Sequence, residues 1–110
     1  MMSMKYNVIE IFTSEKARWQ AKPLHRAIVG KIRDAEIGAR CLVTRGIGGC
    51  YENGELSSTS MEVLFLNMPL KIEIILPTVA LDAILPVIEE MVTDGIVAVK
   101  DINVCSHRTK

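Results

Sequence analysis

The chain has 110 residues, which is one domain's worth and leaves no room for a two-domain enzyme. Apolar residues make up 49% and charged residues 24%, enough apolar surface for a buried core and too much for a chain disordered throughout. Thirteen basic and thirteen acidic side chains cancel, and aromatic residues are only 5%, so neither the cationic footprint nor the stacking platform of a nucleic-acid binder is present.

In chain order, Tyr6–Phe12 is β-rich, with Tyr6, Val8 and Phe12 on one face and Ile9 and Ile11 on the other. The polar segment Thr13–Lys22, which carries Trp19 and ends at Pro23, is expected to be a connecting loop. From Leu24 the apolar residues Leu24, Ala27, Ile28, Ile32 and Ala35 follow the three-and-four spacing of an amphipathic helix, which Gly38 is placed to stop. A second strand, Ala39–Arg45, runs into Gly46–Ser60, a stretch of glycines and hydroxyl residues without apolar periodicity that is expected to be a long mobile loop.

Met61–Phe65 and Leu70–Leu76 are expected to form one strand interrupted at Asn67, Met68 and Pro69. A second helix carries Ala80, Ala83, Ile84, Val87, Ile88 and Met91 on one stripe, starting near Thr78 as its candidate cap, with Pro86 expected to kink it or shift its start. Ile96–Val104 supplies the last strand. The order βαββαβ is the split βαβ of α+β ferredoxin-like domains, an antiparallel sheet with two helices on one face. The first and third strands carry apolar residues on both faces, so an oligomer covering the bare sheet is expected.

No uncharged apolar run exceeds the eight residues of Ile74–Leu81, against the roughly 20 that a membrane helix needs. Met1–Tyr6 shows no secretory pattern, so a cytoplasmic location is expected. Cys41, Cys50 and Cys105 are an odd number at wide spacing and fit reduced thiols, with Cys41 and Cys105 as small buried hydrophobes and Cys50 exposed. His25, His107 and the cysteines are too scattered for a metal site, and no serine or cysteine stands beside a base, so neither a metal nor a catalytic residue is assigned. One segment differs. In Arg45, Gly46, Ile47, Gly48 and Gly49, glycines after a strand allow backbone NH groups to approach an anion while arginine offers a fork of donors, although a plain hairpin turn has the same composition.

Gly38–Gly48, GARCLVTRGIG, followed after a long loop by Phe65–Pro77, FLNMPLKIEIILP, resembles the P-II signal-transduction proteins. The match is closer to an uncharacterised P-II-like family, through Ala21–Val29, AKPLHRAIV, and Cys41–Ile47, CLVTRGI, and it covers nearly the whole chain. The resemblance implies a non-catalytic homotrimer with adenine nucleotides in clefts between subunits and a mobile loop that engages a protein target, such as a membrane channel or transporter. It implies nucleotide contacts at Gly46, Gly48 and Glu73, to which the residues themselves add Arg45, Ile47 and Arg108, and partner contacts in the loop at Gly49, Cys50, Tyr51, Glu52, Asn53 and Gly54. The sequence departs from the P-II pattern at three places. Ser57 stands where many P-II proteins carry a modifiable tyrosine, the glycine-rich lysine loop before the last strand shrinks to Thr93, Asp94 and Gly95, and the Arg-x-Arg tail becomes Cys105, Ser106, His107 and Arg108. AMP, ADP or a cyclic mononucleotide is therefore expected to bind in preference to ATP. The competing readings are an acyl phosphate hydrolase, which would need an anion loop after the first strand where Thr13–Lys22 has no glycine, and a trimeric metal-tolerance protein.

Overall fold

The computed structural model describes residues 4–58 and 67–109. Its elements are β1 (Met4–Ser14), β2 (Arg18–Trp19), β3 (Lys22–Pro23), α1 (Leu24–Ala35), β4 (Arg40–Arg45), β5 (Gly48–Cys50), β6 (Leu56–Ser58), β7 (Pro69–Pro77), α2 (Leu81–Met91) and β8 (Ile96–Val104). Four strands form an antiparallel sheet in the order β4-β7-β1-β8, the ferredoxin-like arrangement, and the helices cover one face.

Period-two alternation decides which side chains meet the helices. Cross-strand rows on the covered face are Cys41, Ile74, Ile9 and Val99, then Val43, Ile72, Ile11 and Val97. Onto these rows α1 places Leu24, Ile28 and Ile32, and α2 places Ile84, Ile88 and Met91. Each fully buried aliphatic side chain contributes about 1.5–3 kcal/mol, so this two-layer stack dominates the favourable side of folding. α1 stops one turn before Gly38, with Glu36 in the left-handed region (φ 49°) and Gly38 also at positive φ. Pro86 lies inside α2 on its exposed side, where the missing amide removes one helical bond without breaking the element. Thr78 does not cap that helix through its side chain. Its hydroxyl donates instead to Oδ1 of the buried Asn7 (2.7 Å), whose amide nitrogen donates to Asp101 Oδ1 (2.7 Å).

Several expectations change. β1 runs on to Ser14, and the supposed loop Thr13–Lys22 folds back as the short β2–β3 ladder with Trp19 against the core. Pro69 opens β7 opposite Ser14, a strand end where a missing N–H costs little. The strand assigned to Met61–Phe65 lies outside the described residues. Cys105 is exposed beyond the end of β8 and is not a buried hydrophobe, whereas Cys41 packs partly on the core and burial pushes its thiol up. The uncovered face of the sheet is also less apolar than expected. It carries Lys71 and Glu73 on β7 and Glu10 on β1, with Lys71 Nζ 3.0 Å and Lys100 Nζ 3.3 Å from the two Glu10 oxygens. Ile9, Ile11, Ile72 and Ile74 all face the helices, and Phe12, Leu42 and Ile96 are the exposed apolar residues around the ion cluster.

Candidate functional site: a cleft at the root of the hairpin

Gly46–Ser58 is a hairpin standing beside the end of the sheet. β5 and β6 pair through Gly48 with Ser58, Gly49 with Ser57 and Cys50 with Leu56. Its turn is closed by Tyr51 N–H to Glu55 O (2.9 Å) and Gly54 N–H to Tyr51 O (2.8 Å), while Asn53 Oδ1 accepts from the Glu55 amide (2.9 Å). Gly54, at φ 87°, takes the turn position that an L side chain resists. Strand pairing answers the lack of periodicity in the sequence, because three-residue strands of glycine and serine show no alternation to detect.

Among the described residues, two bonds tie the hairpin to β7 and to the residue pair before it. The Gly46 amide donates to Pro69 O (2.8 Å), and the Tyr51 hydroxyl donates to Asn67 O (2.6 Å). The first bond takes up one of the amides expected to form an anion nest. Arg45 Nε donates to Glu15 Oε1 (2.9 Å), and both side chains are substantially exposed. An exposed pair of this kind is worth about 0–1 kcal/mol, so an anion would draw the guanidinium away at little cost. Ile47 is 80% exposed at the bend between strand and hairpin.

Where the hairpin meets the sheet lies a cleft of about 240 Å³. Phe12, Thr13 and Ser14 come from the end of β1, Cys50, Tyr51 and Glu52 from the hairpin, Pro69 and Leu70 from β7, and Asp94, Gly95 and Ile96 from the α2–β8 turn. That turn is held by the Thr13 hydroxyl, which donates to Asp94 O (2.7 Å). Gly95, at φ 146°, lets it press on β1, since a Cβ there would run into the Phe12 carbonyl oxygen. Ser14 is 3% exposed, and its hydroxyl has no hydrogen-bond partner among the described residues. Among the described residues, the charged side chains lining the cleft are Glu52 and Asp94. Burial first, and then the carboxylates of Glu55, Asp94 and Glu15, hold the Tyr51 phenol above its ordinary value.

The residues assigned from sequence are only partly brought together. Arg45, Gly46, Cys50, Tyr51 and Glu52 gather around this cleft or its rim. Glu73 instead projects from the middle of the uncovered face, 3.7 Å from Lys71 Nζ and opposite Leu42. Arg108 follows His107, whose Nδ1 pairs with the Tyr6 hydroxyl (2.7 Å) at the start of β1, whereas Arg45 meets Glu15 just past its other end. At about 3.3 Å per residue, Tyr6 and Ser14 stand roughly 26 Å apart, so one chain does not bring Arg108 to Arg45. The sequence reading missed Thr13, Ser14 and Leu70. Its available signal was the two hydroxyl residues ending an otherwise apolar strand.

Among the described residues no group of three or more His, Cys, Asp or Glu side chains is placed to hold a metal ion, and no helix is long and apolar enough to cross a membrane. Compared with protein families, residues 6–104 match the model described as Uncharacterized ACR, COG1993 (DUF190). With nearly the whole chain matched, the protein belongs to that family.

Proposed function

We propose that this chain is a P-II-like regulatory protein. It assembles as a homotrimer, binds an adenine nucleotide in clefts that subunits share, and signals to a partner protein through the hairpin without turnover or a required cofactor. The observation that supports this most is the composition of the cleft. β1, β7, the hairpin and the α2–β8 turn all line it, so a molecule seated there touches the rigid sheet and the projecting hairpin together. Binding that favours one hairpin position shifts its population by the differential contact energy, which is all that a signalling loop requires. Exposed Phe12, Leu42 and Ile96 around the Glu10 cluster support association through the uncovered sheet face.

Native mass spectrometry joined to titration calorimetry tests this reading. A trimer mass and saturable binding of AMP or ADP are expected. A monomer at micromolar concentration that binds none of AMP, ADP and ATP would overturn it.

A further inference from the structure

We infer that Asn53, at the tip of the hairpin, is a site of spontaneous modification, where water replaces the side-chain amide and leaves aspartate or isoaspartate at a rate set by opening of the hairpin. Water is the co-reactant. Hydroxide removes the Gly54 amide proton, the nitrogen attacks Asn53 Cγ, and the bond from Cγ to Nδ2 breaks as ammonia departs with a proton from water. The cyclic imide adds water at either carbonyl and opens to a carboxyl group, whose proton passes to the ammonia, so nothing is oxidised or reduced.

Local geometry selects this asparagine. Asn53 is exposed, and nothing lies within 4 Å of the place a Cβ on Gly54 would occupy, so the attacking nitrogen is unshielded. The Glu55 amide donates to Asn53 Oδ1 (2.9 Å), which folds the side chain back along its own turn and polarises the carbonyl under attack, as backbone donors do for a developing oxyanion. The other asparagines differ. Asn7 is buried, and Asn7, Asn67 and Asn103 precede Val8, Met68 and Val104, whose side chains crowd the nitrogen that would attack. One bond opposes the reaction. The Gly54 N–H donates to Tyr51 O (2.8 Å), which keeps its proton from hydroxide until the turn opens locally.

The product changes the tip. Glu52, Glu55 and Asp94 border the same hollow as Asn53, so a further carboxylate meets like charge there. Isoaspartate also adds a backbone carbon between Tyr51 and Glu55, the residues whose amide and carbonyl close the turn. Only the effect on a partner rests on the regulatory reading; the chemistry does not.

Peptide mapping by mass spectrometry, after incubation of the full chain at mildly alkaline pH, tests this against the same chain unfolded in guanidinium. Asn53 is expected to convert while Asn7, Asn67 and Asn103 stay intact, and to do so several-fold more slowly in the folded chain than in the unfolded one. Tyr51→Phe, which frees the hairpin from Asn67 O, is expected to raise the folded rate by the same factor as it raises amide exchange at Gly54. An Asn53 still intact when the unfolded reference has fully converted, or conversion at another asparagine first, would overturn the site. Equal rates in the folded and unfolded chain, or no acceleration in Tyr51→Phe, would overturn control by hairpin opening. Each of these results leaves the regulatory reading standing.

Discussion

Gly95 is the residue on which the architecture of the cleft depends most directly. It combines a φ of 146° with contact against the backbone of Phe12, so a side chain meets both dihedral strain and an immovable carbonyl. Gly95→Ala is expected to destabilise the chain by about 1–3 kcal/mol, measured as a lowered urea midpoint with unchanged m-value. Asn7 carries a different load. It is buried, and its amide ties β1 to Asp101 on β8 and to Thr78 at the entry to α2. Asn7→Ala would remove both bonds, and because Thr78 and Asp101 are exposed and turn to water, the loss should be about 0.5–1.5 kcal/mol per bond by the same denaturation experiment. Neither substitution touches the apolar core, so both effects come from polar and backbone geometry.

The hairpin is the least secured element. Two three-residue strands have little stability alone, since an isolated hairpin in water is marginal even when longer. Among the described residues its attachment rests on Gly46 to Pro69 and Tyr51 to Asn67. Removing the second bond with Tyr51→Phe should speed amide exchange across Gly48–Glu55 by several-fold while the midpoint for global unfolding moves little, because this segment opens locally. Gly46→Val attacks the first attachment sterically. A Cβ at Gly46 would approach Pro69 Cγ to 2.9 Å, tighter than ordinary contact, so the bend must open and move the cleft wall. Nucleotide affinity should fall in that variant more than stability does, and equal losses would place the damage in the sheet instead.

Across the whole molecule the uncovered face of the sheet sets the acid response. Glu10 stands directly opposite Glu73, and two like charges are tolerated there because Lys71 lies 3.0 Å from one and 3.7 Å from the other. Hydrogen bonding to Lys71 first, and then to Lys100, lowers the Glu10 carboxyl below its ordinary value, although desolvation opposes them. A carboxyl depressed in the folded state contributes stability above its unfolded pKa and loses that contribution as pH falls through the folded value. Thermal melts between pH 7 and 3 should therefore show a steeper acid loss in the native chain than in Glu10→Gln. Added salt should weaken these partly exposed pairs as well, which thermal melts at several ionic strengths would register.

The order βαββαβ, both amphipathic helices and the residues of the core were legible because each rests on local periodicity. Leu24, Ile28 and Ile32 share a helical stripe, and Ile9 and Ile11 share a strand face, in any fold that buries them. The glycine-rich segment was legible as a functional candidate by composition but not as a ladder, since Gly48–Cys50 and Leu56–Ser58 show no alternation before they pair.

Tertiary structure alone decided what surrounds each functional candidate. Glu10, Lys71 and Lys100 come from three strands, and only the antiparallel register turns three isolated charges into one cluster on a face that looked apolar strand by strand. The cleft likewise joins Ser14, Glu52, Leu70 and Asp94 across four separate elements. Which residues must leave water was already written in the chain, because that follows from side-chain chemistry repeated at a fixed period. Which polar groups meet at the end of the sheet followed from strand order and register, which bring together residues that no local spacing relates.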